Sequence, residues 1–302
     1  MSSSPTGRSG QLSIQRVGGL RCKVGEGPVW DVKDQALYFV DLLERSVWRH
    51  EPAQEQFKRW LVSSFVGSMA LRAGGGALVA LQDGLYTLDF SNGTVAPFAS
   101  LPCHPETQCN DGKVDPRGRF LVGTTPRSIS DMRPIGGLYS VDASGHARQL
   151  DEGFGITNGP CWSPDGRTFY FANSLAKTIY AYDYDLDTGN VSGRRMFADT
   201  AQYGGIPDGA TCDADGRLWV AICGGAKVLC LRPDGTEERV IAMPVPLIGS
   251  VSFGGPALDR LYVTTLNGAE LGMGLPSDEH SGSLFVIDGL GVRGMPEPRF
   301  AG

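Results

Sequence analysis

Long hydrophobic runs are absent from this sequence. No apolar stretch approaches the roughly 20 residues that cross a bilayer as a helix. Residues 1–10 are rich in Ser and Gly and lack the apolar core of a signal peptide, so we expect a flexible tail there and no membrane partner. Clusters of basic charge are absent too. The 27 Lys and Arg residues are scattered and the net charge is −6, which argues against nucleic acid as a partner.

Histidine is sparse, and neither histidine nor cysteine forms a recognisable metal-binding pattern. The seven cysteines include no Cys-x-x-Cys pair, which is typical of free thiols in a reducing compartment. We therefore expect a cytoplasmic protein. The four histidines fall outside every repeated motif described below, and a thiolate zinc site is not indicated.

The sequence also lacks long helical periodicity and a Gly-x-Ser-x-Gly motif, which weakens the hypothesis of a serine hydrolase. Its 42 glycines occur without low complexity and indicate many tight turns and hairpins. A polar residue recurs before a short β-rich run at intervals of 42 to 50 residues. These recurring positions, which we call the anchors, are Glu26, Ser68, Asp111, Asn158, Asp208 and Ser250.

Six repeats of this length predict an all-β fold, a six-bladed β-propeller with four-stranded blades. Type I turn sequences such as Asp115-Pro116-Arg117-Gly118 separate the first two runs of a repeat. The last repeat lacks a fourth strand after Ile287, and residues 11–17 can supply it, which would close the ring and cover an exposed edge. We predict one domain over residues 11–302. A pair of β-sandwiches is the alternative, but it would not explain the six-fold period.

The anchors precede the innermost strand of each predicted blade, so their side chains would converge at the mouth of a central channel. Carboxylate and amide oxygens suit hard divalent cations. A single Asp-Gly or Asn-Gly dipeptide is more often a turn former. Four oxygen-bearing anchors at one repeated position instead favour a site for one divalent metal ion, left open among Ca²⁺, Mg²⁺, Mn²⁺, Zn²⁺ and Fe²⁺.

Four longer motifs surround the polar anchors. They are Gly25-Glu26-Gly27-Pro28-Val29-Trp30, Asn110-Asp111-Gly112-Lys113-Val114-Asp115, Thr157-Asn158-Gly159-Pro160 and Pro207-Asp208-Gly209. Together they resemble the regucalcin, gluconolactonase and luciferin-regenerating-enzyme family of senescence-marker-protein-like lactonases, over nearly the whole chain. The resemblance implies a divalent metal bound by Glu26, Asn158 and Asp208. It also implies that Asp208 is the general acid and base in the hydrolysis of a sugar lactone.

The resemblance further implies that Asn110 contacts the substrate close to the metal and shares the charge on the reacting oxygen. Asp111 is not usually counted among the ligands of this family. One position departs from the family, because Gln108 stands where many members have an Arg that holds the substrate. A family Glu beyond the motif also has no clear counterpart, and Arg127, Asp131 or Arg133 are candidates to replace it. We expect residues 103–108 and 126–134 to border the channel mouth and to set sugar preference.

Three functions therefore compete. The first is a metal-dependent lactonase that acts on a small-molecule sugar lactone through a metal-activated water. The second is a non-catalytic calcium-binding regulator, which needs the ligands but no base. The third is a metal-dependent esterase or phosphotriesterase on the same fold. We expect a monomer or a small homo-oligomer.

Overall fold

The computed structural model describes residues 11–128, 130–272 and 274–302, so the predicted tail over residues 1–10 lies outside the described residues. Within these ranges the strands form six sheets of four antiparallel strands each, which confirms the all-β class. Two short 3-10 helices, Ala201–Tyr203 and Gly268–Leu271, lie between strands. No helix in the described ranges is long and apolar enough to span a membrane.

The first strand of each blade contacts the first strand of the next blade, and the sixth contacts the first again. This closed ring confirms the six-bladed propeller. We number the blades 1 to 6 by these innermost strands, which are β2 (Gly25–Asp31), β6 (Val66–Leu71), β10 (Thr107–Val114), β14 (Thr157–Trp162), β18 (Ile206–Cys212) and β22 (Ile248–Gly254).

The remaining strands follow outward from the channel. The second strands are β3 (Ala36–Asp41), β7 (Ala77–Leu81), β11 (Phe120–Pro126), β15 (Thr168–Asn173), β19 (Leu218–Cys223) and β23 (Arg260–Thr265). The third strands are β4 (Ser46–Glu51), β8 (Gly84–Leu88), β12 (Gly136–Val141), β16 (Thr178–Tyr184), β20 (Lys227–Leu231) and β24 (Ser283–Asp288). The outermost strands are β5 (Gln56–Leu61), β9 (Val95–Ala99), β13 (Ala147–Phe154), β17 (Val191–Asp199), β21 (Glu237–Ala242) and β1 (Ser13–Arg21).

The N-terminal strand closes the ring as predicted. Strand β1 pairs with β24, with Ser13 opposite Asp288 and Arg16 opposite Phe285. The strand begins at Ser13 and extends to Arg21, whereas the sequence predicted residues 11–17. Blade 6 thus combines the first and the last strand of the chain, and β1 covers the edge of β24 that would otherwise be open to pairing with another chain.

The hydrophobic core lies between neighbouring blades. Among the described residues, each of the six pairs of adjacent blades encloses its own apolar cluster. The second strands contribute the largest share of these clusters, and β7 is buried along its whole length. Outermost strands such as β21 expose most of their side chains. Each blade therefore cannot bury its faces alone, and the packing holds the innermost strands at the channel in a regular ring.

The two ends of the ring are built differently. We call the end where the innermost strands begin the upper end, and the end where they finish the lower end. Residues 289–302 lie along the lower end. There, Glu297 contacts Lys113 of blade 3 at 3.0 Å and Arg299 contacts Asp31 of blade 1 at 2.7 Å. The C-terminal segment therefore ties several blades together at the lower end and leaves the upper end to the anchors.

Candidate metal centre

The innermost strand of every blade breaks its pairing register at its anchor. The register shifts fall between Glu26 and Val29, Val66 and Ser68, Cys109 and Gly112, Asn158 and Cys161, Pro207 and Ala210, and Ile248 and Ser250. A β-bulge re-aims the side chains beside it, and here the same device recurs around the ring. These bulges were not predicted from the sequence, although an isolated Gly within a strand pattern indicates a bulge.

The bulges bring neighbouring innermost strands close together. Gly159 has a left-handed φ of +58°, and its N–H donates to Asp111 Oδ2 of the preceding blade at 2.9 Å. A Cβ on Gly249 would lie 2.5 Å from Glu26 Oε1. Glycine adopts the left-handed φ at position 159 without strain, and the lack of a Cβ at position 249 leaves room for the Glu26 side chain.

Asn110 and Asn158, which were both predicted to belong to one site, lie in direct contact. Asn110 Nδ2 donates to Asn158 Oδ1 at 3.1 Å and to the Thr157 carbonyl at 2.7 Å. Asn158 Nδ2 in turn donates to Ser174 Oγ at 2.9 Å, and Ser174 Oγ donates to the carbonyl of Pro207 at 2.6 Å. Ser174 was not identified from the sequence, because it follows a second strand and belongs to no repeated motif.

Glu26 and Asp208 are buried carboxylates, each with 7% of its surface exposed. Burial raises the pKa of Glu26 well above its usual range, and the charges of Asp208 and Asp111 raise this pKa further. Burial, then the charge of Asp111, raises the pKa of Asp208, while hydrogen bonds from the Cys223 thiol and the Gly209 backbone oppose this rise. Both carboxylates are therefore held near one another in a poorly solvated place.

In the part of the chain that the structure describes, no Lys, Arg or His forms an ion pair with Glu26 or Asp208. Glu26 accepts one hydrogen bond, at 3.2 Å from the N–H of its neighbour Gly27. Removing a carboxylate from water is costly unless a cation or several hydrogen bonds compensate for the loss. The two side chains thus lack the partner that buried carboxylates usually have.

Asp111 differs from these two carboxylates because both of its oxygens already have partners. Oδ1 accepts from the Gly112 N–H at 2.8 Å and Oδ2 from the Gly159 N–H. Burial raises the pKa of Asp111 to about 6, although the charge of Lys113 and these backbone bonds act to lower it. Asp111 therefore holds blades 3 and 4 together at the bulges.

The donor set can be tested against a divalent ion. Among the described residues, no three His, Cys, Asp or Glu side chains are grouped so as to hold a metal, so a metal ligand set here would need a further oxygen donor, such as an amide. Two buried carboxylates without a cation, beside the amide Asn158, supply oxygen donors and negative charge. This is the ligand chemistry that hard divalent cations prefer. The residues present therefore fit a divalent metal, and the assignment of Glu26, Asn158 and Asp208 as its ligands stays a prediction.

The predicted substrate residues lie in blade 3, on β10 and directly after β11. Gln108 is half-buried, and with Asn110 it alternates with the buried Thr107 and Cys109 along β10, so that Gln108 and Asn110 share a face. Arg127 is exposed, and its Nε donates to the Thr107 carbonyl at 3.0 Å.

Of the other two candidates near the mouth, Arg133 pairs with both Asp131, at 2.6 Å, and Glu106, at 2.9 Å. These contacts occupy the charges of Arg133 and Asp131. They leave Gln108 the better candidate for substrate contact, and the role of the segments 103–108 and 126–134 stays a prediction.

Known proteins resemble this chain in sequence and in structure. A family model described as the SMP-30/Gluconolactonase/LRE-like region matches residues 24–267. Regucalcin from Xenopus laevis is 35% identical over 285 residues, which are 93% of this chain and 95% of that protein. The similarity thus extends over whole chains and includes all six anchors.

Two solved structures share the fold over nearly their full length. A luciferin-regenerating enzyme superposes with a TM-score of 0.86 at 29% identity, covering 96% of this chain and 100% of that chain. A regucalcin from Agrobacterium tumefaciens, described as a calcium-binding protein, also has a TM-score of 0.86, at 26% identity, and covers 96% of this chain and 97% of that chain. The chain belongs to the SMP-30/gluconolactonase/LRE-like family.

Proposed function

We propose that this protein hydrolyses a sugar lactone to the corresponding sugar acid, with one divalent metal ion held by Glu26, Asn158 and Asp208. The observation that carries the proposal is the pair of buried carboxylates, Glu26 and Asp208, for which the described residues supply no cation, together with the Asn110–Asn158 amide pair. Membership of a family whose description includes gluconolactonase supports the reaction type. The substrate is a small molecule, and we propose a cytoplasmic location from the cysteine pattern.

Asp208 is the proposed general acid and base. When bound, the ion would polarise the lactone carbonyl and activate a water molecule. Asp208 accepts the proton from the water that attacks the carbonyl carbon, and returns it to the ring oxygen as the acyl C–O bond breaks. The lactone and one water become one hydroxy acid.

Asn110 is the proposed substrate contact. Both donors of its amide are used within the protein, towards Asn158 Oδ1 and the Thr157 carbonyl. This arrangement differs from the sequence-based expectation that Asn110 donates to the reacting oxygen. It leaves Asn110 Oδ1 to accept a hydrogen bond from a hydroxyl group, which suits a polyhydroxylated substrate. Gln108, on the same face, offers a second neutral partner.

A calcium-binding regulator is the second candidate, because the similar protein from Agrobacterium tumefaciens is described as calcium-binding. A regulator needs the same ligands but gains nothing from a base. A metal-dependent esterase or phosphotriesterase would use the same centre on a different bond.

One experiment separates these functions. The protein is stripped of metal with a chelator, and hydrolysis of a panel of aldonolactones, a simple aryl ester and a phosphotriester is measured after adding each of Ca²⁺, Mg²⁺, Mn²⁺, Zn²⁺ and Fe²⁺. We expect aldonolactone hydrolysis that depends on added metal and exceeds turnover of the other two classes. Tight Ca²⁺ binding without turnover of any substrate would instead favour the regulator.

A further inference from the structure

Ser174 lies at the junction of two of the proposed metal ligands. It directly follows β15, and its side chain is fully buried. Its hydroxyl oxygen accepts from Asn158 Nδ2 at 2.9 Å, and its hydroxyl hydrogen is donated to the carbonyl of Pro207 at 2.6 Å. Pro207 directly precedes Asp208 in the next blade. One hydroxyl group therefore links the side chain of one proposed ligand to the backbone beside another.

This geometry selects one orientation of the Asn158 amide. With Nδ2 on Ser174, Oδ1 faces Asn110, whose Nδ2 donates to it at 3.1 Å. A rotation of the amide by half a turn would bring two N–H donors face to face at Asn110. It would also place Oδ1 against Ser174, whose only hydrogen already points to Pro207. The two neighbours therefore act together to keep the Asn158 oxygen on the side of Asn110.

The fold itself does not require a hydroxyl at this position. The Ser174 N–H donates to the Ile156 carbonyl at 2.9 Å, which joins the second strand of the blade to the residue before the first strand. The same bond is made in blade 1 by Leu42, to Val24, and in blade 6 by Leu266, to Leu247, each at 3.0 Å. Leucine thus fulfils the backbone role in two blades whose first strands carry no asparagine anchor.

We propose that Ser174 is a positioning residue for the metal centre, which holds the Asn158 oxygen towards the ion and ties this ligand to the strand that carries Asp208. The inference rests on the proposed function insofar as Asn158 binds the ion. Residues that orient metal ligands typically contribute about 10–100-fold to metal affinity. Ser174 acts through Asn158 and does not contact the ion or the substrate.

The test compares Ser174→Ala with Thr265→Val in the full-length protein. Thr265 is an equally buried residue of β23, whose hydroxyl donates to the Ser283 carbonyl at 2.6 Å and contacts none of the proposed ligands. Affinities for Ca²⁺ and Mn²⁺ are measured by isothermal titration calorimetry, and the melting temperature is measured in chelator. We expect Ser174→Ala to weaken metal binding by about 10–100-fold, and Thr265→Val to leave it within about threefold at a similar melting temperature.

A second background separates positioning from a general loss of structure. In Asn158→Asp both ends of the side chain are oxygens, so its orientation no longer matters, and adding Ser174→Ala should then weaken binding by less than about threefold.

Equal metal affinity of Ser174→Ala and the parent would overturn the inference alone, as would equal losses in Ser174→Ala and Thr265→Val. A parent that binds no divalent ion would overturn the metal centre and this inference together. A parent that binds the ion without hydrolysing lactones would contradict only the proposed reaction.

Discussion

The buried carboxylates at the two ends of the innermost strands differ in whether they have partners. At the lower end, Asp115 and Asp213 are fully buried and fully partnered. Asp115 accepts from Arg119 Nε and from the Tyr184 hydroxyl, each at 2.6 Å, and Asp213 accepts from Trp219 Nε1 at 2.9 Å. At the upper end, Glu26 and Asp208 are also buried, each with 7% of its surface exposed, but no cation among the described residues pairs with them.

The difference shows that burial of an acidic residue does not by itself indicate function. A buried carboxylate that has an Arg and several donors stabilises turns, as the Asp115 backbone contacts with Arg117 and Arg119 illustrate. A buried carboxylate without such partners lowers stability until a cation compensates for its charge. The partnered carboxylates of the lower end therefore support the fold, whereas those of the upper end carry the charge that the proposed metal ion would compensate.

Replacement of Asp208 should have the largest effect on catalysis. Asp208→Asn keeps an oxygen that can contact the ion but removes the base, and general acid–base catalysis contributes about 10²–10⁴-fold. We expect kcat to fall by at least about a hundredfold at saturating metal. Asp111→Asn should lower kcat less, because Asp111 bonds only to backbone amides of its own and the next blade. A near-parental rate for Asp208→Asn would reduce Asp208 to a ligand and require another base.

The lower end should respond to the same substitution with a loss of stability. Asp115→Asn leaves the Arg119 guanidinium, 15% exposed, without its carboxylate, and breaking a buried ion pair costs about 3 kcal/mol or more. We expect urea unfolding to show this loss equally with and without metal. At saturating metal and a temperature where the variant is folded, its kcat should match that of the parent. A specific loss of activity in the folded variant would show that the two ends are not independent.

Metal removal should reverse the effect of a substitution at the upper end. In chelator, Glu26→Gln removes a buried charge, and we expect the free energy of unfolding to rise by about 1–2 kcal/mol. The pKa of Glu26 is raised in the folded state, so the parent loses stability as pH rises from the unfolded-state pKa of Glu26 towards this higher value. The stability advantage of Glu26→Gln should therefore be absent at low pH, grow over this range and stay constant at higher pH.

With saturating metal the order should reverse, because the parent gains binding free energy that Glu26→Gln loses. Chemical unfolding at several pH values, with chelator or with metal, measures both effects. A variant that is less stable than the parent in chelator at every pH would mean that Glu26 is a structural carboxylate like those of the lower end.

The smallest expected effect concerns substrate choice at the upper end. Gln108→Arg introduces a cation on the face that carries Asn110, and a hydrogen bond to a charged group is worth roughly 1.5–3 kcal/mol. We expect kcat/KM for lactones that carry a carboxylate to rise about tenfold relative to neutral lactones. Gln56→Arg, on the exposed strand β5, is the control for added charge. Unchanged relative rates would remove Gln108 from the list of specificity residues.

Much of the fold was predictable because its signals are local and repeated. A polar anchor, an Asp-Pro-x-Gly turn and short apolar runs recur at a near-constant interval. The strands of one blade after another therefore pair in the same order. Even the closing strand was predictable, since blade 6 lacked a strand and the N-terminus had one to spare. Its end at Arg21 was not predicted, because a bulge lets β1 stay paired beyond Arg16.

The sequence by itself determined the six blades, the ring closure and the oxygen-rich anchors, because each depends on residue type and spacing along the chain. The tertiary structure alone decided which carboxylates are partnered. Asp115 and Asp208 each stand beside a proline, yet Asp115 meets Arg119 and Tyr184 while Asp208 meets no cation among the described residues. It also decided the contacts of Asn158 with Asn110 and Ser174. The Asp115–Tyr184 and Asn110–Asn158 contacts join neighbouring blades across 69 and 48 residues of sequence. The bulges that aim the anchor side chains arise from pairing between strands, which residue spacing does not specify.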